Sequence, residues 1–436
     1  MRPVHTEGLS SATLTQESRT LKRTLQHKHI LSPASISLYI LIVSALAIYA
    51  AAVLYQFFPN MYTWEELLIS YEGGFIRRGL IGQLLYLADR LLPRPLPAYR
   101  LYPLALCYLV LYCVLLYGFL YFSHKKLTDV FDPLVVAFLF ISPALFLLPV
   151  TDRYVFGRKD LFIAILLLCM AQLCVKCLKK EASLYAATLL LSILFATGML
   201  IHEMILFYVP LFAVLLGAAY AREKKIGQWL CITGILFAAA LLFAVVFAGD
   251  MDTREALCAS WRQNYPELTC QRAFRFIGVS LSDNILMTSV HHRNWFTMGS
   301  VFLGAVLSAL PLLFLWKAYR PYEAIRGMLS SSILLRLAFW PAVAAPFLLS
   351  VIANDFGRHI SVAFISYVFF LYAVLAVQPR PAAPWLRTLK ESLAASPRLR
   401  CAAYLFAIVY GLCWRMAHHQ PPGESYIIPG VLFHLQ

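Results

Sequence analysis

Charge is scarce in this chain. Of its 436 residues only 14% are Asp, Glu, Lys or Arg, against about 25% in soluble domains. Acids are the scarcer sign, 22 against 37 Lys and Arg. The resulting formal charge of +15 is scattered in short clusters. It forms no single patch or stripe of the kind that grips nucleic acid, so nucleic acid is excluded as a partner. The sequence also lacks an internal repeat, and no Pro/Gly/Ser stretch is long enough to divide the chain into separate domains. A cleavable leader is not evident either. The polar residues 1–34 carry Arg2, Arg19, Lys22, Arg23 and Lys28, but the apolar run that follows at 36–58 is too long for a signal peptide and has no small-residue cleavage site. This start reads as a cytoplasmic tail and a retained signal anchor.

What is present is apolar sequence in blocks of bilayer length, 61% hydrophobic residues overall. A helix crosses the hydrocarbon core with about 20 such residues, and it satisfies its own backbone where lipid offers no partner. The pattern predicts an all-α, polytopic transmembrane helical bundle of about 11 spans in one domain over 35–418. The spans are 36–58, 101–123, 133–150, 161–178, 183–201, 204–221, 227–248, 297–316, 333–353, 359–377 and 401–418. Prolines such as Pro143, Pro210, Pro341 and Pro346 are expected to kink them. With the N-terminus inside, 22 of the 37 cations fall in inner segments and 14 of the 22 acids in outer ones. Cytoplasmic loops collect Lys and Arg, so the expectation is N-in and C-out. That leaves 419–436 as an extracytoplasmic tail and 59–100 and 249–296 as long outer loops.

The outer segments hold the unusual residues. In the first loop, Thr63-Trp64-Glu65-Glu66 reads as a helix start, with Thr63 and Glu66 as a capping box. A second segment, 79–92, has leucines at helical spacing and reads as an interfacial helix. Between them Glu72-Gly73-Gly74-Phe75-Ile76-Arg77-Arg78-Gly79 combines a glycine turn with two arginines before a helix start. Guanidinium forks match phosphate oxygens, and helix N-termini favour anions. Arg77 and Arg78 are therefore candidates for a phosphate clamp; headgroup anchoring with an ion pair to Glu72 is the plainer alternative. The turn Asp152-Arg153-Tyr154-Val155-Phe156-Gly157-Arg158-Lys159-Asp160 packs five charges into nine residues. His202-Glu203 lies at a tight turn without the spacing of a zinc motif. Asn354-Asp355-Phe356-Gly357-Arg358-His359 repeats the Phe-Gly-Arg of the second turn. Each of these turns reads either as a local ion-pair knot or as part of a site. Loop 249–296, with Asp250, Asp252, Glu255, Trp261, Tyr265 and Trp295, suits sugar stacking or a solvated cap. Cys258 and Cys270 are the only cysteines outside the spans, and an oxidising outer compartment predicts a disulfide between them. His202, Glu203, His291, His292, Asp355 and His359 are the residues that would take a divalent metal, with no diagnostic spacing. No cofactor is firmly implied.

Many spans, an N-in start, a long first outer loop with interfacial helices, and acids on the outer face resemble the GT-C glycosyltransferases. The Gly-Gly-Phe-Ile-Arg-Arg-Gly-Leu, Gly-Arg-Lys-Asp, His-Glu and Asp-Phe-Gly-Arg stretches also look like those of bacterial surface-polysaccharide membrane proteins. The resemblance implies a multi-pass protein of the bacterial inner membrane. It implies sugar transfer from a polyprenyl-phosphate- or diphosphate-linked donor to a glycan acceptor on the extracytoplasmic face. Many members carry an acid pair soon after span one; here the nearest is Glu65-Glu66. The expected roles are a base among Glu72, Asp152 and Glu203, and substrate binding by Arg77, Arg78, Arg158, Asp160, His202, Asp355 and Arg358. Polysaccharide polymerase or ligase, and transporter or lipid-linked glycan flippase, are the competing readings. Transport predicts ionisable groups near the bilayer midplane, and the centres of these spans carry almost none.

Overall fold

Long apolar runs leave the backbone one economical way to pair its polar groups, and the described residues are helical with no strand. The computed structural model describes residues 61–91, 101–124, 130–151 and 155–412, apart from 264, 267, 280–281, 284, 287–288, 290–294 and 354. The expected span at 36–58 and the tails at 1–34 and 419–436 lie outside them. In chain order the helices are α1 (Met61–Leu68), α2 (Gly79–Leu91), α3 (Leu101–His124), α4 (Pro133–Phe140), α5 (Leu148–Thr151), α6 (Asp160–Leu178), α7 (Leu184–Ile201) and α8 (Ile205–Tyr208). They continue as α9 (Pro210–Arg222), α10 (Ile226–Val246), α11 (Met251–Arg262), α12 (Trp295–Tyr319), α13 (Tyr322–Leu329), α14 (Ile333–Ile352), α15 (Phe356–Val377), α16 (Pro384–Ala395) and α17 (Pro397–Leu412).

Among the described residues five stretches are long and apolar enough to cross a membrane: Asp160–Leu178, Leu184–Ile201, Ile226–Val246, Val301–Tyr319 and Phe356–Val377. They differ in how they are used. Helix α15 is buried along nearly its whole length and packs on α6, α9, α12 and α14. Helix α10 instead exposes Ile235, Leu242 and Val245. A central helix that is apolar all round, ringed by others with bare apolar faces, is the pattern of a bundle solvated by lipid.

Two expected spans are not single helices. The run at 133–150 stops at Phe140, turns through 141–147 and resumes as α5. Pro143 lacks the N–H a continuing helix needs, and the Ser142 carbonyl instead accepts from the Leu145 and Leu147 amides. The run at 204–221 divides into α8 and α9, with Pro210 at the first position of α9. Pro341 and Pro346, by contrast, sit inside α14 without ending it.

The connections gather at two ends of the bundle. At one, Asp132 pairs with Lys390 at 2.7 Å, Arg380 with Glu323 at 2.8 Å, and Arg222 donates to the Leu178 carbonyl at 3.0 Å. At the other, α1, α2, α11 and the chain through Ile277 build a cap with its own core of Leu68, Tyr86, Leu257, Trp261, Tyr265 and Phe274. Trp261 donates its indole N–H to the Leu68 carbonyl at 2.8 Å, and Cys258 and Cys270 are joined by a disulfide with Cα atoms 6.0 Å apart. Described parts of the two long loops, 61–91 and 251–277, thus pack as one body. Trp261 and Tyr265 are buried in its core, so neither presents a face for stacking a sugar. Helix α2 buries Asp89 and exposes Leu84, Leu87 and Leu91, which suits a helix lying in an interface.

Candidate active site

The cap end of the bundle carries a buried ionic cluster built from five separate chain segments. Burying one unpaired charge costs several kcal/mol, so each side chain there is held by partners brought from elsewhere in the sequence. Helix α1 supplies Glu66. Its Oε2 lies 3.3 Å from Arg158 Nε and its Oε1 lies 3.3 Å from Arg358 Nη1. Asp355 closes the ring, bonding Arg158 through Nη1 and lying 3.2 Å from Arg358 Nε. Asp160, first residue of α6, adds a third carboxylate 3.5 Å from Arg358. Tyr62 lays its ring against the Arg158 guanidinium, 4.6 Å from the ring centre. The Phe-Gly-Arg stretches at 156–158 and 356–358 therefore place their arginines side by side on shared acids.

Beside this ring lies a second group. Glu203 accepts from both arms of Arg78, at 2.6 Å from Nε and also from Nη2, and lies 3.7 Å from Arg77 Nη1. His202 bridges the groups, with Nε2 3.7 Å from Glu66 and Nδ1 3.4 Å from Glu203. The Met204 amide donates to that Nδ1 at 3.3 Å. Lys159, fully buried, donates to the Arg78 carbonyl.

The exposures of the arginines separate the two groups, while Asp355 of the ring and Glu203 are alike at 14%. In the ring Glu66, Arg158, Arg358 and Asp160 side chains are at most 7% exposed. Arg77 and Arg78 are 20% and 26% exposed, and Glu203 14%. The arginine pair is the mouth of the cluster.

Local sequence explains how the mouth is made. After α1 the chain turns at Tyr71, whose carbonyl accepts from the Gly74 amide at 3.0 Å. Gly74 has φ +125°, and a Cβ on Gly73 would stand 2.3 Å from the Thr253 carbonyl oxygen of α11. Glycine is needed at both for these reasons. The Arg77 amide then donates to the Phe247 carbonyl at 2.8 Å, where α10 ends. Arg78 itself is left-handed, φ +68°, a conformation that non-glycine residues seldom hold without support. Lys159 on its carbonyl and Glu203 on its guanidinium supply that support.

Electrostatics follow the contacts. Burial pushes the Glu66 carboxyl up, but Arg158 and Arg358 outweigh it and hold it below its usual range. Burial likewise opposes ionisation of Glu203, and Arg78 and Arg77 overcome it and hold that carboxyl well below its usual range. His202 is pushed well down by burial and by the Arg78 charge, so it is neutral. Burial lowers Lys159 to about 7, with Glu66 resisting and Arg78 assisting.

Of the residues singled out from the sequence, Arg77, Arg78, Arg158, Asp160, His202, Glu203, Asp355 and Arg358 meet at this one end. Glu72 does not join them. It is exposed and accepts from Gln83 at 3.0 Å. Asp152 lies outside the described residues, as do His291 and His292. Glu66, assigned to a capping box, is instead the centre of the ring. Its neighbour Glu65 accepts from the Arg272 amide at 2.8 Å and the Phe274 amide at 3.4 Å, tying α1 to the cap. Lys159 was one charge of a crowded turn without a role of its own, and full burial is what distinguishes it. Among the described residues no group of three or more His, Cys, Asp or Glu is arranged to hold a metal ion. No family model, curated protein or solved structure matches this chain.

Proposed function

We propose that this chain is an integral membrane glycosyltransferase acting at the extracytoplasmic face on a polyprenyl-phosphate- or diphosphate-linked sugar, in surface glycan assembly. The observation that carries the reading is the arginine mouth: Arg77 and Arg78 at the accessible edge of a charge cluster seated on apolar helices. Lipid rejects such charge unless it is paired or used, and a lipid-borne phosphate brings an anion to that depth. The reading sets the chain in a bacterial inner membrane, N-in and C-out, with about eleven crossings, two of them by broken helices. The end opposite the cap carries Lys179, Lys180, Lys224, Lys225, Lys317 and Arg320, as a cytoplasmic end does.

In this reading the phosphate oxygens lie against Arg77 and Arg78. The acceptor hydroxyl forms a bond to the sugar anomeric carbon as the bond from that carbon to the phosphate oxygen breaks. The phosphate leaves with the electron pair, and the guanidinium groups offset its growing charge. The acceptor proton passes to a carboxylate. Glu203 takes that role, because among the expected bases it alone combines a described place in the cluster with access from outside.

The test is Arg78→Ala in cells, with protein abundance and surface glycan measured together. Normal abundance with lost glycan supports transfer. Normal abundance with unchanged glycan overturns the reading.

A further inference from the structure

The same carboxylate that is placed to take the proton is tied up by the two arginines placed to take the phosphate. Both arms of Arg78 rest on Glu203, and Arg77 stands 3.7 Å from it. Arg77 has another partner, donating to the Ala244 carbonyl at 3.3 Å. Behind Arg78, buried Lys159 holds its carbonyl, so the backbone stays in place while the guanidinium is free to change partners. Arg77 and Arg78 are the more exposed arginines of the cluster; Arg158 and Arg358 are at most 7% exposed.

We infer that Glu203 is an internal stand-in for the substrate phosphate: the lipid phosphate displaces it from Arg78 and Arg77, and the released carboxylate becomes the proton acceptor. The inference rests on the glycosyltransferase reading and adds an order of events to it. Before substrate arrives Glu203 neutralises one of the two arginine charges, which helps two cations and an acid persist at the edge of lipid. A diphosphate-linked donor offers the two arginines more charge than one carboxylate; the phosphodiester of a monophosphate-linked donor offers the same single charge, which grows to that of a monoester as the sugar leaves, and both match the arginine forks. Once displaced, Glu203 loses the cations that hold it ionised and stands beside neutral His202, 3.4 Å away. It then binds a proton more readily. The base is therefore weak when the site is open to solvent and competent when substrate fills it. Arg158, Arg358 and Glu66 keep their partners throughout.

The chemistry recognised is a phosphate on a long-chain alcohol or a free phosphate, and the probes separate them. Purified protein in detergent is titrated with farnesyl phosphate, inorganic phosphate and farnesol. Wild type is expected to bind farnesyl phosphate, inorganic phosphate more weakly, and farnesol least. Glu203→Gln removes the competing charge and keeps the shape. It is expected to bind farnesyl phosphate at least about tenfold more tightly, because a charged hydrogen-bonded competitor has gone. Arg78→Gln is expected to lose the phosphate preference. If wild type shows no preference for phosphate over farnesol, the functional reading itself fails. If wild type prefers phosphate but Glu203→Gln binds it equally or less tightly, the exchange is wrong and the reading survives. Thermal unfolding shows whether each variant is folded. Should Glu203→Gln not fold, the infrared carboxylate bands of wild type decide. Addition of farnesyl phosphate should shift one such band, and an unchanged spectrum at saturating probe refutes the exchange.

Discussion

The ring around Glu66 and the mouth around Arg78 use the same residue types at opposite exposures. In the ring each acid serves two cations or shares one, and both arginines are at most 7% exposed. In the mouth one acid serves two arginines that remain a fifth to a quarter exposed. A buried pair that loses one partner leaves a stranded charge, whereas an accessible pair can trade its partner for a ligand. The difference teaches which ionic contacts hold the bundle together and which are available to do work.

The largest effect is expected from breaking the ring. Arg158→Ala leaves Glu66, Asp355 and Asp160 sharing the single cation of Arg358 and should lower stability by about 3–5 kcal/mol. The check is the yield of folded protein and its unfolding midpoint in detergent. A small loss there would mean that the ring is as replaceable as the mouth. Next comes Lys159, which belongs to neither group cleanly. Its folded pKa, about 7, lies below the ordinary 10.5. Between those values the unfolded chain holds the extra proton, so stability rises as pH goes from about 7 to 10.5 and is level below 7. Lys159→Met should remove that rise, a few kcal/mol, in unfolding curves taken across the range. A wild-type curve flat from pH 7 to 10 would place the ammonium in a far wetter setting.

Much of this division was legible before the fold. Charged turns between apolar runs announced helices and one crowded end, because lipid makes each such charge conspicuous. What the turns could not reveal is which partner each charge takes, since Arg158 meets Asp355 across 197 positions and Arg358 meets Glu66 across 292. Glu66 was hidden by a local pattern: Thr63 three residues earlier satisfies a capping box on paper, and only tertiary contact turns the side chain into the ring. Glu72 had the opposite fate. Its place beside the glycines looked catalytic, yet the turn points it to Gln83 and solvent. The aromatics of 249–296 read as a sugar platform because sequence cannot distinguish a cap core from a cap surface. Breaks at Pro143 and Pro210 were foreshadowed by the prolines, but Pro341 and Pro346 are equally visible and break nothing.

Two smaller effects sharpen the comparison. The disulfide closes a short loop in the cap, on which the Arg77–Arg78 turn rests through Gly73 and α11. Replacing Cys258 and Cys270 together by Ser should cost about 2–3 kcal/mol, and protease nicking near 265–279 should appear before any loss of the bundle. Smallest of all, Glu72→Gln keeps the Gln83 contact in reach and should change stability by no more than about 0.5 kcal/mol, with glycan product unchanged. Loss of product in that variant would move the base away from Glu203.

The most direct test of the central claim is an experimental density map of the protein purified with its native lipids. Phosphate density is expected against the guanidinium groups of Arg77 and Arg78, with Glu203 drawn back toward His202 and the ring around Glu66 unchanged. Lipid phosphates seated elsewhere on the bundle, with Arg78 still closed on Glu203, would contradict it.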